Sequence, residues 1–320
     1  MNSETDKPDY KGAAIEFDER PRCALCGSAQ RNVHRAFRDI PVVRCSECGF
    51  LYSSRMMNAE TMQAYYRENF GSLRHLQGQV VNSRTNRVAL ERLLDLKKVK
   101  SWLDIGTGYG FLLKWLKEKR GIATVGVELS VQEADYAREK LGLEVHSKLL
   151  SESGLPRASF DVVSCFEVIE HISEPKAFLS ELAEYVRPGG SLIVMTDNFE
   201  SSCVRQLKGG FPKWIPHTHV SHFGPKSLRD CMNSVPGLEL EKEASYTPWD
   251  LVGRQHVSAV RPPPPDEEAF DLRVALSTEM HKDYKLYQLR YYLNPLWTRI
   301  NLHASLDGGA LMYAVGRKQS

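Results

Sequence analysis

Side chains whose types and spacing could do chemistry fall into three groups in this sequence. Four cysteines lie between residues 23 and 48, a glycine-rich turn spans residues 104–110, and two polar clusters, E-V-I-E-H and P-H-T-H-V-S-H, span residues 167–171 and 216–222. Cysteine thiolates bind metal ions, and glycine lets a ligand approach the backbone. Carboxylates and imidazoles can exchange protons with a reacting group. The sequence therefore offers a metal site, a ligand-binding turn and groups for acid–base catalysis.

Two C-x-x-C pairs, with eighteen residues between them, contain the four clustered cysteines Cys23, Cys26, Cys45 and Cys48. This spacing is typical of a zinc ribbon, in which four thiolates complete a tetrahedral site. Two disulfides or four unrelated thiols are the alternatives, and a reducing cytosol disfavours disulfides. Because four thiolates leave no open coordination position, we expect structural zinc. The remaining cysteines, Cys165, Cys203 and Cys231, lack such spacing and are predicted to pack in the core.

The glycine-rich turn follows a short apolar run and precedes a segment with helical periodicity, which predicts a strand, a turn and a helix. Gly106, Gly108 and Gly110 would also suit a plain tight turn. Glu128 lies about twenty residues further on, after the predicted strand Ala123–Val127, where doubly wound folds place an acidic residue for ribose hydroxyls. The glycines and this carboxylate together favour a ligand that contains a nucleoside.

Strand-like and helix-like segments alternate from residue 99 onward, including a predicted fourth strand at Phe160–Phe166 and a fifth at S-L-I-V-M-T-D-N. Such alternation predicts an α/β fold, doubly wound, with a mostly parallel seven-stranded sheet and right-handed crossovers. The last strand, G-G-A-L-M-Y-A-V-G-R-K, is expected to be antiparallel at the sheet edge. The ligand crevice is expected at the carboxyl ends of the strands.

Four regions make up the predicted chain: a flexible tail at 1–20, a zinc ribbon at 21–55, a helical linker at 56–98 and the core at 99–320. Insertions on the substrate side are expected near 201–224 and 246–300. The linker is predicted to contain helices Ala59–Tyr66 and Ser83–Leu96. The intervening loop is either a simple connection or a lid over the ligand, with Tyr65, Tyr66 and Arg67 near its start.

Composition limits the classes of function. The chain has 320 residues, 42% of them hydrophobic, and a formal net charge of +2. The near-neutral charge disfavours nucleic acid as a partner. Because the sequence contains neither an amino-terminal apolar run nor an apolar stretch of about 18 residues, we expect a soluble, cytoplasmic protein with no membrane partner.

Four sequence segments in succession resemble the motifs of class I S-adenosylmethionine-dependent methyltransferases: L-D-I-G-T-G-Y-G, V-G-V-E-L-S, L-P-R-A-S-F-D-V-V-S-C-F-E-V-I-E-H-I-S-E-P and Y-V-R-P-G-G-S-L-I-V-M-T. The resemblance covers roughly residues 99–200 and implies a Rossmann-like methyltransferase fold with S-adenosylmethionine as cofactor. The implied cofactor-binding residues are Asp104, Gly106, Thr107, Gly108, Gly110, Glu128, Leu129 and Phe166. Ser151, with Glu152 adjacent, replaces the acidic residue that the family usually has for the adenine amino group.

The ribbon, helical linker and core together resemble methyltransferases of bacterial sugar, polysaccharide and natural-product pathways. This resemblance implies a small-molecule acceptor, with the methyl group going to a hydroxyl or carbon of a sugar, nucleotide-sugar or natural-product intermediate. We expect a monomer or homodimer. An RNA methyltransferase that binds nucleic acid through its ribbon, and a cofactor-binding regulator without activity, are the alternatives.

A base is needed where the acceptor loses a proton, and histidine titrates near neutrality. We predict His222 or His219 as this base, with His171 across the crevice and Glu167 near the cofactor. E-V-I-E-H could instead serve packing and cofactor contact alone. It also resembles the divalent metal sets of ubiquinone-pathway O-methyltransferases and small-RNA 2′-O-methyltransferases, in which Glu167, Glu170, His171 and a downstream histidine would bind Mg²⁺ or Mn²⁺.

Overall fold

The computed structural model of the 320-residue chain describes residues 9–10, 13–62, 65, 73–260, 262–276 and 286–319. Tyr66 and Arg67, near the start of the predicted connection or lid, lie outside the described residues, as does part of the insertion expected near 246–300. Residues 59–62 and Tyr65 are helical, as expected for the first linker helix.

Seven short strands come before residue 58: β1 (Asp9–Tyr10), β2 (Ala13–Ala14), β3 (Phe17–Glu19), β4 (Arg31–Arg35), β5 (Val42–Cys45), β6 (Leu51–Ser53) and β7 (Arg55–Met57). Strands β4, β5 and β6 form an antiparallel sheet beside the cysteines, and β3 pairs with β7. Ile15 and Arg20 are buried. The segment expected to be a flexible tail therefore packs from Ile15 onward, and the Nη2 atom of Arg20 donates to the Ser173 carbonyl oxygen at 2.9 Å.

The main sheet has seven strands in the described residues: β8 (Ser101–Ile105), β9 (Ala123–Val127), β10 (Glu144–His146), β11 (Phe160–Phe166), β12 (Val186–Asp197), β14 (Leu238–Tyr246) and β15 (Leu311–Lys318), while β13 (Ser221–His222) joins the ribbon sheet. The order is β10-β9-β8-β11-β12-β15-β14, and β15 is antiparallel to both of its neighbours. The predicted fold class is confirmed.

The position of β15 differs from the prediction. This strand lies between β12 and β14, and β14 forms the edge. Six consecutive residues of β15, from Leu311 to Gly316, are buried, which is the pattern of a strand covered on both faces. An antiparallel strand inserted beside β12 pairs its backbone groups on both sides, whereas an edge strand pairs them on one.

Ten α-helices follow residue 72 in the described residues: α1 (Leu73–Leu93), α2 (Phe111–Arg120), α3 (Val131–Leu141), α4 (Pro175–Tyr185), α5 (Ser202–Leu207), α6 (Pro225–Asn233), α7 (Trp249–Val260), α8 (Asp266–Ala269), α9 (Leu272–Leu276) and α10 (Tyr287–Asn301). Helix α1 begins ten residues before the predicted Ser83, so residues 73–79 of the expected loop are helical. Helix α4 passes directly into β12, which begins five residues before the predicted fifth strand and includes the R-P-G-G segment. None of the described helices is long and apolar enough to cross a membrane.

Apolar side chains cover both faces of the main sheet. On one face, Trp102 of β8 packs in a cluster with residues of α1, α2 and α3. On the other face, β11 and β12 pack with α4 and α6, and the same cluster includes Phe50 and Tyr52 of the ribbon. Because burial of apolar side chains is the main favourable contribution to folding, the ribbon and the sheet are stabilised as one packed unit. This arrangement fixes the carboxyl ends of β8, β9, β11 and β12 beside the ribbon.

Candidate functional site

The glycine turn connects β8 to α2 with its backbone in the left-handed region. The φ angles of Gly106, Gly108 and Gly110 are 71°, 55° and 79°, which other residues adopt only with strain. The backbone N–H of Gly106 donates to the Val127 carbonyl oxygen at 2.8 Å. A Cβ on Gly106 would lie 2.4 Å from Cγ2 of Val168. The turn therefore contacts the E-V-I-E-H segment directly.

Asp104 lies beneath this turn as a buried carboxyl group. The Ser164 hydroxyl donates to its Oδ1 at 2.5 Å, and the Trp102 indole N–H donates to that hydroxyl at 2.8 Å. Burial raises the pKa of Asp104 to about 7, although the hydrogen bond from Ser164 opposes the rise. Thr107 is also buried, in the turn itself. Both residues lie in the part of the chain that the resemblance assigns to the cofactor.

Glu128 follows β9 and supports the glycine turn from the next strand. Its Oε2 accepts from the Gly108 backbone N–H and its Oε1 from the Ser130 backbone N–H, both at 2.8 Å. Burial, together with the nearby Glu133 carboxylate, raises the pKa of Glu128 to about 7. A carboxylate fixed in this way at a strand end can accept further hydrogen bonds from ribose hydroxyls.

The first turns of α1 cover the glycine turn. Oε1 of Gln79 accepts from the Tyr109 backbone N–H at 2.8 Å, and its Nε2 donates to Glu133 at 3.1 Å. His75 pairs with the same buried Glu133, with Nε2 and Oε1 3.0 Å apart. The sequence interpretation missed these contacts, because it treated residues 69–79 as a loop. The available signal was the absence of proline there, which permits the helix to start earlier.

The residues present fit S-adenosylmethionine. The three glycines keep Cβ atoms out of the turn, although Gln79 covers Gly108, and Glu128 can accept hydrogen bonds from ribose hydroxyls. Leu129 is 63% exposed beside them, so its side chain is available to pack on an adenine ring, and Phe166 is half-buried at the end of β11. Ser151 and Glu152, by contrast, are exposed in a short 3-10 turn at Leu150–Glu152.

Glu167 holds the first position after β11 in a strained backbone conformation, with φ of 55°. Its Oε1 accepts from Nζ of Lys213 at 2.6 Å, and its Oε2 accepts from Nδ2 of Asn82 at 2.5 Å. Burial acts to raise the pKa of Glu167, but the Lys213 ammonium outweighs it and keeps the carboxyl pKa below its usual value. Lys213 also lies 3.9 Å from Oδ2 of Asp197. Asn82 and Lys213 were not among the predicted site residues.

Glu170, His171 and His219 come together as the sequence suggested, with their ligand atoms within 4.8 Å of one another. The two imidazole rings meet edge to face, with centroids 4.7 Å apart. The Thr218 carbonyl oxygen lies 3.0 Å from Nδ1 of His171, so Nδ1 is the protonated nitrogen and Nε2 carries the lone pair. Burial lowers the pKa of His171 to about 4 and, with the Asp197 charge, raises that of Glu170 to about 8.

The other histidines of the cluster have different surroundings. His222 is fully buried, its ring centroid 4.6 Å from that of Phe199 and 5.1 Å from that of Trp214. Its Nε2 lies 3.5 Å from the Ser53 hydroxyl of the ribbon. His217 stacks on Phe270. Of the predicted histidines, the structure therefore places His171 and His219 together beside the carboxylates, and it places His222 in an aromatic cluster.

A divalent ion at Glu170, His171 and His219 would use Glu167 as its fourth ligand in the set implied by the resemblance. Both Glu167 oxygens already accept hydrogen bonds, one of them from an ammonium group. Like charges repel strongly where burial lowers the dielectric constant. Glu170, His171 and His219 converge, but the complete set of four does not fit a divalent ion while the Lys213 ammonium is bonded to Glu167.

The four ribbon cysteines do fit zinc. The Sγ atoms of Cys23 and Cys48 are 3.5 Å apart, as are those of Cys26 and Cys45, and all four lie within 4.8 Å of one another. Thiolates ~2.3 Å from one tetrahedral Zn²⁺ are separated by ~3.8 Å, close to these distances. The backbone N–H groups of Gly27 and Gly49 close the two knuckle turns. The cluster's proposed metal is therefore structural zinc.

The sheet order, the glycine turn and Glu128 define a class I S-adenosylmethionine-dependent methyltransferase domain. The chain belongs to the family described as "Methyltransferase domain", which matches residues 74–243. It is 31% identical over 217 residues to a ubiquinone biosynthesis O-methyltransferase of Dinoroseobacter shibae, covering 63% of this chain and 85% of the relative.

Two further comparisons extend over less of the chain or show lower identity. A ubiquinone biosynthesis O-methyltransferase of Idiomarina loihiensis is 31% identical over 147 residues, 44% of this chain, and the chain spans only 58% of that relative's length. A crystal structure titled as an S-adenosylmethionine-dependent methyltransferase, possible histamine N-methyltransferase, from Thermotoga maritima has 20% identity and a TM-score of 0.49, covering 81% of this chain and 94% of that chain.

Proposed function

We propose that this chain transfers the methyl group of S-adenosylmethionine to a hydroxyl group of a small-molecule acceptor, with His171 as general base. The observation that carries the proposal is the contact between the glycine turn and E-V-I-E-H, in which a Cβ on Gly106 would meet Val168. This contact supports a reaction in which the cofactor, bound at the glycine turn, meets the acceptor beside the histidine pair. The similarity to ubiquinone biosynthesis O-methyltransferases supports a hydroxyl acceptor.

S-adenosylmethionine, when bound, supplies an electrophilic methyl group on a positively charged sulfur. The chain's residues then have to align the acceptor oxygen and remove its proton. The lone pair on Nε2 of His171 can accept that proton, since the Thr218 carbonyl fixes the protonated nitrogen as Nδ1. His219 packs edge to face on the ring and holds its orientation.

His171→Ala should lower the rate of methyl transfer by about 10²- to 10⁴-fold, the usual contribution of a general base. S-adenosylmethionine affinity should not change, because the His171 side chain bonds to the Thr218 carbonyl and packs on the His219 ring. The measurement is S-adenosylhomocysteine release by mass spectrometry with a panel of phenols and nucleotide-sugars. His256→Ala, at an exposed histidine of α7, is the matched control. Full activity of His171→Ala would refute the assignment of the base.

The same panel identifies the acceptor class. Formation of a methyl ether on a phenol or on a sugar hydroxyl supports the proposal. The compound that reacts then distinguishes a phenol acceptor from the sugar or natural-product acceptor that the ribbon suggested. Methylation of nitrogen, or label transferred to tRNA, would overturn it.

A metal-dependent O-methyltransferase is the second candidate, because Glu170, His171 and His219 converge. The ion pair between Glu167 and Lys213 weighs against it. Activity that is lost in EDTA and restored by Mg²⁺ or Mn²⁺, in protein that has kept its ribbon zinc, would favour this candidate. Unchanged turnover in the chelator would favour the metal-independent reaction.

A further inference from the structure

We infer that the ammonium group of Lys213 is the resident cation of the carboxylate cluster formed by Glu167, Glu170 and Asp197, in the place where a divalent metal ion would otherwise bind. The inference rests on the geometry of this cluster and deepens the metal-independent reaction proposed above. The experiment that tests it measures metal binding, so its result does not depend on whether methyl transfer is observed.

Three carboxyl groups meet at the carboxyl ends of β11 and β12. Glu170 and Asp197 are almost completely buried, with 0% and 1% exposure. Burying several carboxylates together is costly unless a cation compensates them. Among the described residues, the ion pairs of Glu167 and Asp197 are both made with Lys213, at 2.6 and 3.9 Å. Lys213 is therefore the cation that compensates this cluster.

Lys213 reaches the cluster from the insertion between α5 and β13. Its neighbours Phe211 and Trp214 are buried, with 2% and 4% exposure, and fix the turn that carries it. The Lys213 side chain keeps 36% of its surface exposed. The Nζ atom nevertheless reaches Oε1 of Glu167 at 2.6 Å and lies 3.9 Å from Oδ2 of Asp197.

The contacts of Glu167 show why the lysine and a metal ion exclude each other. In the ligand set that the resemblance implies, a metal ion at Glu170, His171 and His219 would also bind the Glu167 carboxylate, but that group bonds to Lys213 on one oxygen and to Asn82 on the other. Binding of a divalent ion would also add two positive charges beside a partly desolvated ammonium group. Removal of the ammonium should leave an acidic site with two imidazoles, which are ligands that Mn²⁺ accepts.

The test is a titration of the zinc-loaded full chain with Mn²⁺, in which the electron paramagnetic resonance signal reports free ion. We expect Lys213→Met to gain one saturable Mn²⁺ site per chain, with affinity at least about tenfold above that of the wild type. Lys213→Arg, which keeps the charge, should behave like the wild type. Adding Glu167→Gln to Lys213→Met should remove the gain.

Lys226→Met is the control for loss of one positive charge, because Lys226 pairs with Asp230 on the surface. It should bind Mn²⁺ as the wild type does. Equal Mn²⁺ affinity in the wild type and a folded Lys213→Met protein would overturn the inference. If Lys213→Met does not fold, the Mn²⁺ titration of the wild-type chain is the test. One saturable Mn²⁺ site per chain that is lost in Glu167→Gln would contradict the inference. The absence of a saturable site would support it.

Discussion

At the scale of single residues, the carboxylates of the crevice have different states because their surroundings differ. Glu167 bonds to an ammonium group and stays ionised, whereas burial raises the pKa of Asp104 and of Glu128 to about 7. Glu128 is the carboxylate that is proposed to accept hydrogen bonds from the ribose hydroxyls. Glu133 and His75 face it from α3 and α1, and Glu133 adds to the rise in its pKa.

The raised pKa of Glu128 predicts a pH dependence of cofactor affinity. Ribose hydroxyls donate to the ionised carboxylate, so binding favours loss of its proton, and affinity should increase as the pH rises through about 7. Below that value the affinity should fall by up to about tenfold per pH unit. Calorimetric titration with S-adenosylhomocysteine at several pH values measures this.

Glu128→Gln should bind the ligand more weakly and flatten the pH dependence, since its amide cannot ionise and its NH₂ group opposes one of the two backbone N–H donors. Glu139→Gln, on the exposed side of α3, is the control and should keep the wild-type profile. A Glu128→Gln profile as steep as the wild type would assign the titration to another group.

At the scale of elements, the ribbon and the insertion that carries His219 share a sheet. Strand β13 pairs with β6 through Ser221 with Tyr52 and His222 with Leu51. His219 lies just before this strand. The backbone N–H of Val220 donates to the Glu170 carbonyl oxygen at 2.8 Å. Order in the cysteine cluster therefore supports the position of His219 beside His171.

Loss of the proposed zinc should consequently lower both stability and turnover. Cys45→Ser should contain no zinc by atomic absorption and melt at a lower temperature than the wild type, because metal binding contributes folding free energy. Its methyl-transfer rate should fall as β13 loses its partner. Cys203→Ala, which changes a buried cysteine outside the cluster, should retain one zinc per chain. Full zinc content in Cys45→Ser would contradict a four-thiolate site.

Local patterns were sufficient where a strand or turn is determined by its own residues. Ala123–Val127 and Phe160–Phe166 match the predicted strands at both ends, and the glycine turn and Glu128 meet as expected. Long-range pairing could not be predicted in this way. The insertion of β15 beside β12, and the meeting of Asn82 and Lys213 at Glu167, depend on contacts between segments far apart in sequence.

At the scale of the whole molecule, the parallel sheet forms one side of the crevice, and helix α1 and the ribbon stabilise the segments on the other side. The parallel strands β8, β9 and β11 bring the glycine turn, Glu128 and E-V-I-E-H to one edge of the sheet. Helix α1 closes over this edge through Gln79, and the ribbon supports the insertion that carries Lys213 and His219. The cofactor-binding half of the crevice comes from consecutive sequence, and the proposed acceptor half is assembled from separate regions.

If the glycine turn binds S-adenosylmethionine, as we claim, calorimetric titration should distinguish Gly108→Ala from Gly154→Ala. Both glycines have positive φ angles, 55° and 71°, so both variants carry similar backbone strain. A Cβ at Gly108 would lie 2.1 Å from Oε1 of Gln79, whereas nothing lies within 4 Å of one at Gly154. We predict one S-adenosylmethionine per wild-type chain, wild-type affinity in Gly154→Ala and strongly weakened binding in Gly108→Ala. Absence of binding to the wild type, or equal affinity in the two variants, would contradict the claim.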